Sequence, residues 1–132
     1  MDPVVHFEMG YLDATRVSEF YTQVFNWKMT TLDEKMGNYV LAASGETDSQ
    51  GMMQKPGVVN GGFYKTDKIL TESTTHIVIS VDDIKTSVSK VKSAGGQINS
   101  EPMDIPGIGT YVSFLDTEGN SVGMLQPLPM GK

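Results

Sequence analysis

The sequence has no cysteine, a single tryptophan, two histidines and only ten basic residues against sixteen acidic ones. Without cysteine there is no disulfide framework, no thiolate metal site and no cysteine nucleophile. A net charge of −6 and a pI near 4.7 offer no electrostatic source for binding a phosphate backbone, so nucleic acid is not an expected partner. No apolar run approaches the roughly twenty residues of a membrane-spanning helix, and a membrane partner is not expected either. The Met1-Asp2-Pro3 start lacks the basic-then-apolar pattern of a signal peptide, which makes a cytoplasmic location the expectation. What is present is 132 residues, 39% apolar and 20% charged, a composition that suits one globular domain able to bury a core without staples.

The chain echoes itself. Val5-His6-Phe7-Glu8-Met9 returns as Thr75-His76-Ile77-Val78-Ile79, and each histidine is followed seven positions later by an aspartate, Asp13 or Asp83, that opens a helix-like segment. Gly37-Asn38-Tyr39-Val40 returns as Gly109-Thr110-Tyr111-Val112, and Gly62-Phe63-Tyr64 as Gly123-Met124-Leu125. Spacing that differs from one pair to the next indicates a duplicated supersecondary unit with variable loops.

Residues 4–9 alternate as a strand, and behind the Asp13 cap Val17, Phe20, Tyr21, Val24 and Phe25 recur at helical spacing as an apolar stripe. Residues 27–32, 38–43 and 58–65 read as three more strands, so residues 1–65 form a βαβββ module. After a linker at 66–74, residues 75–132 repeat the order. A strand at 75–81 precedes a helix capped by Asp83 with Ile84, Val88 and Val91 on one face, a Gly95-Gly96 stop, and strands at 97–100, 109–115 and 121–126. The expected fold is α+β, with two tandem βαβββ modules in one domain, their sheets curling into an incomplete barrel around a cavity. Alternate strand residues would line that cavity, and a small molecule is the expected partner. Met9, Tyr39, Phe63, Tyr111 and Met124 are candidate pocket residues; core packing is the competing reading for the methionines, and for the repeat-equivalent Tyr39 and Tyr111 a structural role in the duplicated sheet is favoured over stacking on a ligand. Met52-Met53 lies on a long loop, 44–57, that is either a lid or a surface loop. Lys85, Lys90 and Lys92 make a solvated helix face. No Gly-rich phosphate loop and no Gly-x-Ser-x-Gly elbow occurs.

Val5-His6-Phe7-Glu8, the run from Phe20 to Trp27, the run from His76 to Asp83, and Asp116-Thr117-Glu118-Gly119-Asn120 come in an order that resembles the vicinal oxygen chelate superfamily. That superfamily includes glyoxalase I, the bleomycin resistance proteins and the extradiol dioxygenases, and the Pro102 to Gly107 segment is similar to a glyoxalase-like branch of it. The resemblance implies a divalent metal (zinc, nickel, iron or manganese) held by a histidine on the first strand of each half, here His6 and His76, and by a carboxylate on the last strand of each. The last-strand positions fall near Gly61-Gly62 and at Gly123, which have no side chain to offer. Glu8, two residues beyond His6 and so on the same strand face, is the possible third ligand and the candidate catalytic proton carrier. The competing reading is a metal-free pocket in which the histidines only hydrogen-bond. By resemblance the chain is expected to be a homodimeric small-molecule binding protein or a lyase or isomerase acting in the cavity between the modules. The alternative expectation is a metal-free protein that sequesters a cationic or aromatic compound.

Overall fold

The structure is a computed structural model that describes residues 1–50, 54–67 and 75–129. Met52-Met53 and residues 68–74 of the expected linker lie outside the described residues. The fold is α+β. In chain order the elements are β1 (Val4–Tyr11), α1 (Ala14–Phe25), β2 (Lys28–Thr31), a 3-10 turn (Glu34–Met36), β3 (Val40–Ala43) and β4 (Asn60–Lys65). Then follow β5 (His76–Ser80), α2 (Ile84–Ser93), β6 (Gln97–Ile98), β7 (Met103–Ile105), β8 (Gly109–Leu115) and β9 (Ser121–Pro127). No helix among the described residues is long and apolar enough to cross a membrane.

The chain divides into two compact units: residues 6–75, and residues 1–5 together with those from His76 onward. In the first, β3 runs antiparallel between β2 and β4, and β1 lies parallel to β4. In the second, β9 runs parallel to β5 and antiparallel to β8, while β6 and β7 both pair with β8. Residues 1–5 join this second unit through Ser80 N–H, which donates to the Pro3 carbonyl at 2.9 Å. Within each half the strand pairing is open, with β2 at one edge of the first half's strands.

Local chemistry explains both helices. Asp13 and Asp83 hold extended backbone and accept from amides of the first turn, Asp13 from Arg16 at 2.9 Å and Asp83 from Lys85 and Thr86. After α2, Ala94 caps and Gly95 turns left-handed at φ +97°. Ile84, Val88 and Val91 pack with Val81, Val112 and Met124, as their spacing predicts. The stripe on α1 is only half used. Val17 and Tyr21 pack on the core with Tyr11, Val40, Ala42 and Phe63, whereas Phe20, Val24 and Phe25 are more than half exposed. Five apolar positions span a wider arc of the helix than this sheet face covers.

The second half also departs from the expected βαβββ count, having four strands after its helix instead of three. β7 was not expected because only three residues separate Pro102 from Pro106, too few to show alternation. Its pairing with β8 depends on a tight return in which Ile108 N–H donates to the Ile105 carbonyl at 3.0 Å. The β8–β9 turn is tied by Asp116, whose carboxylate accepts from the Asn120 side chain and from the Asn120 and Glu118 amides, each at 2.9 Å. The Asn120 side chain first, then these amides and that of Gly119, hold the Asp116 carboxyl below its ordinary pKa. A pKa lowered by folding contributes stability that is complete above the unfolded value and is lost as pH falls through the native one. Asp116→Ala is therefore expected to lower Tm at neutral pH, with the gap to wild type closing below about pH 4, as thermal melts across a pH series would show.

Candidate functional site

In the first half the two-residue period of a strand divides β1 into two faces. Phe7, Met9 and Tyr11 face α1 and the core. His6 and Glu8 share the opposite face, opposite Asn60 and Gly62 of β4. The same face carries Tyr39, at the entry to β3. The Tyr39 hydroxyl lies 2.9 Å from His6 Nε2 and donates to Glu8 Oε2 at 2.9 Å. A hydroxyl has one proton; since it goes to the carboxylate, the hydrogen-bond network assigns a proton to His6 Nε2, which donates to Tyr39. An imidazole, a phenol and a carboxylate thus form one directed chain.

Tyr39 is set by its backbone. Its carbonyl accepts from Leu32 N–H at 2.8 Å across the hairpin, and the Tyr11 hydroxyl donates to the neighbouring Asn38 carbonyl at 2.8 Å. Its ring lies against Gly62, where a Cβ would overlap the hydroxyl end of the ring and force it to shift. Gly61, on the other face, makes the same allowance for the Phe7 ring. Phe7 in turn meets Trp27, and Tyr21 stacks on Trp27 with centroids 4.8 Å apart, which seats α1 on this half of the sheet.

The second half repeats the register. Glu8 and Leu41 flank Gly62, and Val78 and Ser113 flank Gly123. His6 and His76 each stand two residues before the first of those neighbours, and Tyr39 and Tyr111 two before the second. Tyr111 accordingly lies over Gly123, where a Cβ would come within 2.5 Å of its hydroxyl. His76 opens β5 and is half-buried. Two of these positions differ in chemistry: Val78 stands where the first half has Glu8, and Ser113 where it has Leu41.

The expected residues therefore separate. The structure brings His6, Glu8 and Tyr39 together, and it places Tyr111 and His76 at matching positions of the other half. Phe63 is 1% exposed and Met124 3%, each in the core of its own half, and Met9 packs beside Phe63. These three are core residues, because they lie on the helix-facing side of β1, β4 and β9. Tyr39 and Tyr111 each lay their ring over a glycine of the neighbouring strand, a contact within the sheet of the kind expected of a repeated structural residue.

The donors present do not suit a divalent metal. Such an ion wants three or four protein ligands. Among the described residues no group of three or more histidine, aspartate and glutamate side chains gathers. His6 Nε2 presents a proton toward Tyr39 instead of a lone pair, and the last-strand positions are glycines covered by tyrosine rings. The expected ligand set of His6, His76 and Glu8 with zinc, nickel, iron or manganese finds no support in this geometry.

A separate cleft of about 450 Å³ in the second half is lined by Asp82, Asp83, Lys85, Asp104, Thr110 and Gln126. Four of its polar residues serve the fold: Asp83 caps α2, Gln126 Oε1 accepts from Ile84 N–H at 2.8 Å, and Asp104 accepts from Thr110. The chemistry is concentrated at Tyr39 instead.

Residues 4–124 match the family model of the Glyoxalase/Bleomycin resistance protein/Dioxygenase superfamily. The chain belongs to this superfamily. Among its members, a Vibrio cholerae protein named probable lactoylglutathione lyase is 31% identical over 126 residues, covering 93% of this chain and 89% of that one. A Mycobacterium tuberculosis protein with a glyoxylase name, CFP32, is 29% identical over 113 residues; the match covers 83% of this chain but spans only 38% of the mycobacterial protein. The fold is shared with Streptomyces coelicolor methylmalonyl-CoA epimerase in complex with 2-nitronate-propionyl-CoA, at a TM-score of 0.70 and 14% identity over 96% of this chain and 97% of that one. Superfamily membership thus rests on sequence across nearly the whole chain. The chain of hydrogen bonds at Tyr39 was missed by sequence reasoning, although the Tyr39–Tyr111 repeat and the glycines at 62 and 123 were the signals for it.

Removing the hydroxyl tests the chain directly. Tyr39→Phe keeps the ring over Gly62 and is expected to cost about 1.5–3 kcal/mol in urea unfolding, the range for a hydrogen bond to a charged group.

Proposed function

We propose that this chain is a glyoxalase-like small-molecule enzyme of the lyase or isomerase type that moves a proton with Glu8 and does so without a divalent metal. The observation that carries the reading is the Tyr39 hydroxyl held 2.9 Å from both His6 and Glu8. A carboxylate on a strand, fixed by a phenol that is itself fixed by an imidazole, is preorganised to take a proton from a carbon beside a carbonyl and return it to a neighbouring atom. The product is then an isomer of the substrate, with no net change in atoms or electrons. Tyr39 keeps its own proton toward Glu8 in the resting state and holds the carboxylate rotamer. The lactoylglutathione lyase name of the Vibrio relative and the epimerase fold support a substrate with an acidic carbon next to a carbonyl or thioester.

A second reading has its own support. The net charge of −6 and the carboxylate at Glu8 suit a protein that sequesters a cationic or aromatic compound without turning it over. The resemblance also implies a homodimer, so sedimentation is expected to give twice the 14.4 kDa chain mass.

The test uses protein treated with EDTA and assayed with the methylglyoxal–glutathione hemithioacetal and with a branched acyl-CoA. Turnover that survives the chelator and falls about 10²–10⁴-fold in Glu8→Gln is the expected result. Saturable binding of cationic aromatic compounds with no turnover would move the assignment to the second reading. Turnover that needs added zinc or nickel would overturn the metal-free reading.

A further inference from the structure

We propose that the tyrosine–glycine pair in each half, Tyr39 on Gly62 and Tyr111 on Gly123, takes the place of a last-strand metal ligand, so that metal independence is built into the chain twice. The inference bears on the metal-free part of the reading above, but it is tested by metal uptake and stability, which do not depend on turnover.

Three observations carry it. The first is spatial: a Cβ at 62 or 123 would overlap the hydroxyl end of a tyrosine, so a carboxylate at either position would have to displace that ring. The second is the register. The loops between the repeated strands differ in length, yet Leu41 and Ser113 face the two glycines identically, and each tyrosine stands two residues before them. Tyr39 and Tyr111 thus reach their glycines across the same diagonal of the same antiparallel pair. Two halves that have drifted in sequence and in loop length keep this one contact in common.

The third observation is chemical. In the first half the ring is not a passive plug. Its hydroxyl is hydrogen-bonded to His6 Nε2 and donates to Glu8 Oε2, so one ligating atom of each group is already engaged by the ring. A flexible side chain could yield to an added Cβ at little cost, but the Tyr39 ring, held at its hydroxyl by His6 and Glu8, must break those bonds to move. In the second half Val78 stands at the position of Glu8. The duplicated tyrosine–glycine contact covers the last-strand position in both halves, and in the first half it is joined to Glu8 through the tyrosine hydroxyl.

The experiment titrates the full chain with nickel chloride and, separately, zinc chloride by calorimetry, comparing wild type with Tyr39→Ala/Gly62→Glu. The double variant is expected to take up one equivalent of metal and to lose that uptake when His6→Ala is added. Wild type is expected to show no saturable uptake that depends on His6. Because the double variant could fail to fold, a stability cycle accompanies it. Gly62→Ala is expected to lower Tm by about 5 °C or more in wild type, and by less than half as much in a Tyr39→Ala background, where the ring is gone. The same cycle on Gly123→Ala and Tyr111→Ala is expected to give the same sign. A folded double variant that takes no metal, an equal Tm loss with and without the ring, or one-to-one uptake by wild type that His6→Ala abolishes would each overturn the proposal.

Discussion

Alternation along β1 is the constraint on which the rest of the first half depends. Successive side chains of a strand must point to opposite faces, so a strand bordered by a helix on one side delivers every second residue to the core and the others to a second surface. Phe7, Met9 and Tyr11 satisfy the core, where they meet Phe63 and the inner stripe of α1. His6 and Glu8 then have no choice but to share the other face. A one-residue slip of β1 against β4 would exchange the two sets, burying an imidazole and a carboxylate against α1 and exposing three large apolar side chains. Apolar burial is thus what holds the polar pair in register.

That burial also explains how a tyrosine distant in sequence becomes part of the same site. The hairpin from β2 to β3 is closed by backbone hydrogen bonds on either side of a short 3-10 turn, and the core residue Tyr11 reaches out to hold Asn38. Tyr39 leaves that turn with its direction set, and only glycine at position 62 gives its ring somewhere to lie. The hydroxyl then completes a chain that neither His6 nor Glu8 could form alone, since both lie on one strand and face the same way.

Duplication gives the second half the same scaffold with different chemistry. Registers around Gly62 and Gly123 agree residue for residue, while Glu8 and Val78 do not. A fold of this kind can keep the packing of both repeats and vary the ionisable side chains between them, because the core faces, which determine stability, are separate from the faces that carry the chemistry. Superfamily membership accounts for the shared scaffold; the particular pairing of tyrosine with glycine belongs to this chain's own residues.

The local features were legible from the amino acids alone. Asp13 and Asp83 act as caps within one turn of their own positions, β8 runs over the predicted 109–115, and the repeat of His6 as His76 and Tyr39 as Tyr111 is visible without coordinates. Short-range hydrogen bonding and side-chain periodicity are properties of neighbouring residues, so a sequence determines them directly. Tertiary structure decided which apolar residues were core and which were not. It left Phe20, Val24 and Phe25 of a continuous stripe half in solvent, drew Met9, Phe63 and Met124 away from the polar face, and formed β7 from three residues between prolines. It also joined Tyr39 to residues 33 and 31 positions away. Those outcomes depend on which strand lies beside which and on how much space a neighbour leaves, and a one-dimensional pattern specifies neither.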